Sequence, residues 1–97
     1  MAKYAHIIGW GKSVPRRVVG NDELAQTVDT SDEWIREHTG IRQRHVVSEG
    51  EYLSTLALAA SQQALARAQI AATELDLIIL ATSSPDYQLP GGSTLLQ

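Results

Sequence analysis

Short apolar runs predict β-strands near both ends of the chain. Segment 4–10 (YAHIIGW) precedes a turn region that contains Gly11 and Pro15, and segment 77–81 (LIILA) is continuously apolar. A continuous run of this length is typical of a strand buried on both faces of a parallel sheet. Segment 41–47 (IRQRHVV) alternates apolar and polar residues only in part, which favours a strand at a sheet edge.

Capping residues predict two short helices in the first half of the chain. After an extended piece at residues 18–19, Asn21 is predicted to be the N-cap of a short polar helix, because asparagine is among the best N-caps. Thr30 and Glu33 stand at the two ends of a capping box that would start a second helix. Gly40 is predicted to end that second helix.

The longest predicted helix lies in the middle of the chain. Ser48 and Glu51 form another capping box, and the residues behind it that are apolar at helical spacing are Leu53, Leu56, Ala57, Ala60, Ala64, Leu65 and Ala68. The many alanines in this stripe predict close packing against a neighbour. Thr73 is predicted to cap a single turn, and segment 91–97 (GGSTLLQ) is predicted to begin a further helix.

These elements predict an α/β fold with a mixed sheet. Segment 41–47, the long helix and segment 77–81 would form a βαβ unit, in which the two strands run parallel and the crossover is right-handed. Residues 85–90 are predicted to be a loop. Because the sequence stops just after the last helix has begun, we expect residues 1–97 to be part of one domain of a truncated chain, with no second domain.

The composition is ordinary for a folded protein and argues against several classes. Of the 97 residues, 43% are apolar and 20% are charged, which is not the composition of a disordered chain. The formal charge of −3 provides no broad basic surface for nucleic acid. No apolar run approaches the ~18–20 residues of a membrane span, so we expect a cytoplasmic protein without a membrane or nucleic-acid partner.

Two glycine motifs near the start do not fit nucleotide-binding loops. Gly9 and Gly11 follow a predicted strand, but Val14 occupies the position of the third glycine in a dinucleotide-binding fingerprint. Residues 11–13 (GKS) resemble the end of a phosphate-binding loop, yet His6 stands where that motif needs glycine. We therefore assign both glycines to a turn after the first strand.

Groups for covalent or metal chemistry are scarce. The chain contains no cysteine, which excludes disulfides, thiolate metal sites and a cysteine nucleophile from this stretch. His6, His38 and His45 have no partner at a recognised ligand spacing, so no metal site is predicted. Asp32 and Glu33 are better explained by helix capping than by paired acid and base catalysis.

The most informative segment is 29–35 (DTSDEWI), continued by 38–42 (HTGIR). Trp34 and His38 are four residues apart, so two flat rings share one face of the predicted helix. Such a pair could hold a planar ligand such as adenine, because stacking on an aromatic side chain contributes about 1–3 kcal/mol per base. The competing interpretation is a tryptophan that simply packs inward.

Segment 28–35 (VDTSDEWI), followed by 39–42 (TGIR), closely resembles the signature near the start of β-ketoacyl-acyl carrier protein synthase III, a thiolase-fold condensing enzyme. The resemblance extends along the whole chain. Other parts that resemble the family are its opening strand at 7–9 with Pro15, its first cap at Asn21, its third strand at 77–82 and its next loop at 85–90.

The resemblance implies that the longer protein begins fatty acid synthesis by a two-step Claisen condensation. An acyl group passes from coenzyme A to a cysteine, and malonyl-acyl carrier protein then loses carbon dioxide to give the carbanion that attacks the thioester. The family's catalytic Cys, His and Asn would all lie beyond Gln97, so this segment would hold no catalytic residue. Acyl coenzyme A would be a substrate rather than a bound cofactor, and the expected assembly is a homodimer.

By position, the resemblance assigns coenzyme A contacts to Thr30, Trp34 and His38, with Trp34 stacking on the adenine. Many members have Arg in place of His38, where it covers the other face of the adenine, and a histidine is shorter and mostly neutral near pH 7. Leu89 matches the position that crosses the dimer interface to close the partner's acyl pocket, where some members have Phe. The alternative for Leu89 is a loop residue that covers apolar surface.

Two other functions stay open at the level of the sequence. One is a related thiolase-fold acyltransferase of a secondary pathway, which transfers acyl groups without decarboxylative extension, and the histidine at position 38 favours it slightly. The other is a noncatalytic fragment or binding module. A Cys, a His and an Asn further along the protein would exclude this last interpretation.

Overall fold

The computed structural model describes residues 3–89 and 91–97, and the chain divides by its internal contacts into two units. The first is the continuous stretch Val14–Glu51, which we call the hairpin unit. The second combines Met1–Ser13 with Tyr52–Gln97, and we call it the helical unit. Pro90, the last residue of the predicted loop, lies outside the described residues.

Two strands and two helices build the hairpin unit. They are strand β1 (Arg17–Gly20), helix α1 (Asn21–Leu24), helix α2 (Asp32–Thr39) and strand β2 (Gln43–Val46). The strands pair antiparallel, with Arg17 opposite Val46 and Gly20 opposite Gln43. The apolar core of this unit consists of one strand residue, Val19, and one helix residue, Ile35, which are 6% and 7% exposed.

Helix α3 (Leu53–Ala68) is the main element of the helical unit. The backbone of the chain passes close beside it, because a Cβ atom added to Gly9 would collide with the carbonyl oxygen of Ala64, and one added to Gly11 with that of Ala60. The predicted close packing along the alanines of this helix is therefore confirmed. The described part of the chain contains no helix with the length and apolar character needed to cross a membrane.

The strand pairing differs from the predicted βαβ unit. Segment 41–47 does contain a strand, but β2 pairs antiparallel with β1, and segments 4–10 and 77–81 form no hydrogen-bonded strand within the described residues. The predicted parallel pairing of 41–47 with 77–81 is therefore wrong for this chain. A segment becomes a β-strand only when it is hydrogen-bonded to a second strand. A local apolar pattern does not specify which segment of the chain that second strand will be.

Two N-caps lie one residue away from their predicted positions. Gly20 and not Asn21 is the N-cap of α1, and Ser31 and not Thr30 is the N-cap of α2. The Ser31 hydroxyl oxygen accepts from the Trp34 amide at 3.1 Å, which is the bond expected at the third helical position. The Asn21 side chain bonds to residues distant in the chain instead, and the Thr30 hydroxyl has no partner among the described residues.

The capping box at Ser48 and Glu51 forms a turn rather than the start of the long helix. The Ser48 amide donates to the Glu51 carboxylate at 2.9 Å, but α3 begins only at Leu53. There the amides of Leu53 and Ser54 donate to the carboxylate of Asp86, both at 2.9 Å. Asp86 thus caps the helix although it follows Leu53 by 33 residues and Ser54 by 32 in the sequence. No local pattern could predict this cap.

The last two elements are short. The turn predicted near Thr73 is a 3₁₀ turn at Ala72–Glu74, but its N-cap is Ala71, whose amide donates to the Glu74 carboxylate at 2.6 Å. The prediction of Thr73 as the cap is therefore wrong. The final predicted helix is confirmed as α4 (Gly92–Leu96), which packs against α3.

Candidate functional site

Trp34 and His38 stack against each other on the surface of α2. Their ring centroids are 4.1 Å apart with an angle of 18° between the planes, and the His38 Nδ1 atom lies 2.8 Å from the carbonyl oxygen of Trp34. The prediction that both rings share one helix face is confirmed. Because a base between two rings needs about 3.5–4 Å on each side, this arrangement leaves no room for a base between them.

One face of the Trp34 ring is therefore covered by His38, and the other stays available. The tryptophan is 55% exposed, so the alternative of a ring that packs inward does not describe this helix. Trp34 lines a shallow cavity of about 350 Å³ together with Asp29, Thr30 and Ser31, the residues that lead into α2. The cavity and the exposed ring form the candidate site.

Thr30 contributes a polar atom that lacks a partner. Its Oγ1 atom is buried and makes no hydrogen bond to any described residue, and the residue lines the same cavity as Trp34. Leaving a buried hydroxyl unpaired costs about 1–3 kcal/mol. A ligand that offers a donor or acceptor at this point would remove that cost.

A buried asparagine holds the helix that carries these residues. Asn21 is 2% exposed, and its Nδ2 atom donates to Asp32 Oδ1 and to the carbonyl oxygen of Ile41, both at 2.8 Å. Its Oδ1 atom accepts from Arg44 Nη2, also at 2.8 Å. Asp32 is also paired with Arg36 at 2.9 Å, one turn further along α2.

Among the described residues, the carboxylates of Glu51 and Asp86 accept hydrogen bonds from backbone amides and have lowered pKa values. Hydrogen bonds from the amides of Ser48 and Arg16 lower the pKa of Glu51, and the Arg16 guanidinium adds a smaller effect. Hydrogen bonds from the hydroxyl and amide of Ser54, followed by that from the Leu53 amide, lower the pKa of Asp86. Both carboxylates act as acceptors that fix loops, because hydrogen bonds to the charged form favour that form.

Leu89 lies in the helical unit and is 88% exposed. The helical unit also contains a cleft of about 720 Å³ lined by residues of α3, segment 72–78 and α4, and Leu89 is not among its lining residues. The loop that carries Leu89 is attached to the start of α3 through Asp86. The structure therefore places Thr30, Trp34 and His38 together in one unit, and Leu89 in the other.

Sequence reasoning missed the structural roles of Asn21 and Asp86. The local pattern predicts Asn21 as a helix cap and Asp86 only as part of a loop. The partners of both side chains are distant in the chain, from 11 residues for Asp32 to 33 for Leu53. Within the described residues, no group of three or more His, Asp or Glu side chains is arranged for a metal ion.

Comparison with known sequences gives a consistent assignment, although no family model matches the chain. The chain is 55% identical over 93 residues to the β-ketoacyl-[acyl-carrier-protein] synthase III of Rhizorhabdus wittichii. This match covers 96% of this chain and 29% of the relative. The chain is also 55% identical over 97 residues to the synthase III of Methylococcus capsulatus, and this match covers 100% of this chain and 30% of that relative. The chain thus spans less than a third of the length of these curated relatives.

Solved structures agree with the sequence matches. The 3-oxoacyl-[acyl-carrier-protein] synthase III of Aquifex aeolicus superposes with a TM-score of 0.86 at 43% identity, over 93% of this chain and 29% of that one. The priming β-ketosynthase of the R1128 polyketide biosynthetic pathway also gives a TM-score of 0.86, at 33% identity, over 93% of this chain and 27% of that one. These matches confirm the predicted thiolase-like fold class, and over its whole length the chain is homologous to an amino-terminal portion of the proteins named β-ketoacyl-[acyl-carrier-protein] synthase III.

Proposed function

We propose that this chain works as part of a longer condensing enzyme and provides the surface that receives the nucleotide end of an acyl coenzyme A. The observation that carries the proposal is Trp34, an exposed ring with one covered face and one available face beside a cavity. The relatives at 55% identity, which are named synthase III, support the same activity.

The proposed reaction joins an acyl primer to a malonyl group. A cysteine thiolate supplied outside residues 1–97 attacks the acyl thioester, and coenzyme A leaves with its sulfur. Malonyl-acyl carrier protein then loses carbon dioxide, and the electron pair of the broken carbon–carbon bond attacks the acyl carbonyl. The cysteine thiolate leaves, and a 3-oxoacyl carrier protein is the product. This chain has no cysteine, so its own residues bind and orient substrates.

Two residues have distinct parts in the proposed binding. The adenine stacks on the available face of Trp34, which is expected to contribute about 1–3 kcal/mol. The buried Thr30 hydroxyl lacks a partner among the described residues. It forms a hydrogen bond with the same ligand, either as donor or as acceptor.

His38 supports the ring instead of covering the second face of the adenine. Its 4.1 Å stack on Trp34 restricts the orientation of the indole before the ligand arrives. An arginine at this position would add a permanent cation near the phosphates. His38→Arg should therefore tighten coenzyme A binding, and calorimetric titration of the full-length protein checks this. Equal or weaker affinity would mean that a side chain at position 38 does not reach the phosphates.

The partners follow from this activity. Acyl coenzyme A and malonyl-acyl carrier protein are the proposed substrates, and the proposed assembly is a homodimer, with Leu89 closing the acyl pocket of the partner. The 88% exposure of Leu89 supports a role for this side chain outside its own unit. Leu89→Phe should then disfavour long or branched primers by about 1–3 kcal/mol, because a close-packed wall cannot absorb a larger ring, and spare acetyl primers.

The activity is tested with a matched pair of tryptophan variants in the full-length protein. Trp34→Ala should lower kcat/KM for acyl coenzyme A roughly five- to 150-fold, the equivalent of about 1–3 kcal/mol of stacking. Trp10→Ala is the control, because Trp10 is also exposed, at 68%, but belongs to the helical unit. If both variants lose activity equally, or if neither does, Trp34 is not the stacking surface.

A second candidate is an acyltransferase of a secondary pathway. The match to the priming β-ketosynthase of a polyketide pathway favours the secondary pathway, although that relative is named for condensation and not for acyl transfer alone. The two candidates differ in whether malonyl-acyl carrier protein is decarboxylated and extended. Release of carbon dioxide in step with formation of a 3-oxoacyl carrier protein supports condensation. Acyl transfer without this release supports the second candidate.

A further inference from the structure

We infer that Asn21 is a positioning residue for the coenzyme A site: its side chain holds α2, and therefore Trp34, in the orientation that binds the nucleotide. This inference rests on the proposed function, because it needs Trp34 to be the surface that receives the adenine. Asn21 itself does not line the cavity.

The geometry gives Asn21 an unusual place in the hairpin unit. It is 2% exposed, and its side chain makes three hydrogen bonds of 2.8 Å to three separate parts of that unit. One reaches Asp32 in the first turn of α2, one reaches the carbonyl of Ile41 after this helix, and one comes from Arg44 on β2. The amide therefore fixes both ends of α2 relative to β2.

The site is sensitive to this arrangement because it lies within the span that Asn21 holds. Trp34 is two residues beyond Asp32 and seven residues before Ile41 in the sequence. A buried amide with both of its polar atoms paired is rigid, and removing one partner leaves the others without theirs. A displacement of about 1 Å at a binding surface is enough to lower a rate constant by roughly 100-fold.

Asn21→Asp is the informative substitution because it changes the chemistry at nearly constant volume. The carboxylate can still accept from Arg44, but it cannot donate to Asp32 or Ile41, and it places a second negative charge beside Asp32. Val19→Ala is the matched control. Val19 is a neighbouring buried residue at 6% exposure, and its backbone carbonyl, which accepts from Arg44 at 3.3 Å, is kept in the variant.

The readout separates the nucleotide from the rest of the substrate. Acetyl coenzyme A and acetyl pantetheine carry the same thioester, but only the first has an adenine. In the full-length enzyme, the ratio of their kcat/KM values measures how well the nucleotide is used. Asn21→Asp should lower this ratio roughly tenfold, and Trp34→Ala should lower it as well, because both remove productive stacking. Val19→Ala should lower thermal stability and leave the ratio unchanged.

Two further variants complete the test. In the Trp34→Ala background, Asn21→Asp should cause no additional fall in the ratio, because the surface that it positions is already absent. The exchange of Asn21→Asp together with Asp32→Asn restores a donor and an acceptor between these two positions and should recover part of the ratio. If Asn21→Asp does not fold, Arg44→Lys, which loses the planar fork that meets Asn21, replaces it.

The outcomes distinguish the inference from the proposal beneath it. If Trp34→Ala lowers the ratio but Asn21→Asp does not, or if Val19→Ala lowers it as much as Asn21→Asp, the positioning role is wrong and the proposed function stands. If Trp34→Ala leaves the ratio unchanged, the proposed function is wrong, and the inference about Asn21 is wrong with it.

Discussion

The hairpin unit and the helical unit differ in whether their extended segments are hydrogen-bonded and in how much of their apolar surface is buried. In the hairpin unit, β1 and β2 pair over four residues each, and both Val19 and Ile35 are buried. The buried Asn21 side chain is also paired inside the unit, with partners on α2, on β2 and in the loop between them.

The helical unit leaves comparable groups uncovered. Segments 4–10 and 77–81 form no ladder in the described residues, and Ile7 and Ile79 are 89% and 81% exposed. No residue of α3 is buried. Apolar runs alone therefore do not make a core: β1 and β2 satisfy each other within one unit, whereas segments 4–10 and 77–81 have no strand partner among the described residues.

The largest expected effect contrasts one isoleucine from each unit. Ile35→Ala should lower the free energy of unfolding of the hairpin unit by about 2–5 kcal/mol, or abolish its folding, because it leaves a cavity in a small core. Ile79→Ala should stay within about 0.5 kcal/mol. Amide hydrogen exchange of the 97-residue chain measures both. An equal loss for Ile79→Ala would mean that segment 77–81 is covered in solution, and the contrast between the units would disappear.

The second contrast concerns glycines. Gly11→Ala should destabilise the helical unit by about 1–3 kcal/mol, because the added methyl group would meet the Ala60 carbonyl and force the backbone away from α3. Gly20→Ala in the hairpin unit meets nothing within 4 Å and should change stability little. Urea unfolding curves give both values. A neutral Gly11→Ala would show that this segment is not held against α3.

The third prediction separates two neighbouring hydroxyls at the start of α2. Ser31→Ala should cost about 1 kcal/mol, because it removes the acceptor of the Trp34 amide. Thr30→Ala should not weaken the helix, because its hydroxyl has no partner among the described residues. Circular dichroism during urea unfolding of each variant checks this. The reverse ranking would return the N-cap to Thr30.

The smallest expected effect is on the acid sensitivity that Glu51 gives to the hairpin unit and that Asp86 gives to the helical unit. Glu51 and Asp86 have pKa values lowered below 4.5 and 3.8 in the folded chain, so their contributions are complete above those values and are lost as the pH falls below them. Asp86→Asn should remove this acid sensitivity from the start of α3, and Glu51→Gln from the turn at Ser48. Amide hydrogen exchange of both variants, measured between pH 3 and 6, checks this prediction. A substitution that changed the acid sensitivity of both regions would contradict it.

Local patterns predicted much of the secondary structure and the chemistry of the candidate site. They placed the long helix within a few residues of α3, ended α2 at Gly40, and put Trp34 and His38 on one helix face. These features depend on contacts within one or two turns of a helix, so neighbouring residues decide them. The family resemblance carried by segment 28–35 was confirmed by relatives at 55% identity.

From the amino-acid sequence follow the approximate positions of the helices, the aromatic surface of the candidate site and the absence of cysteine from residues 1–97. The tertiary structure selected which strands pair. It also assigned Asn21 and Asp86 to partners 11 to 33 residues away. The physical reason is that hydrogen-bond partners distant in the chain meet only after folding, and a side chain with several acceptable partners takes those that the fold brings within reach.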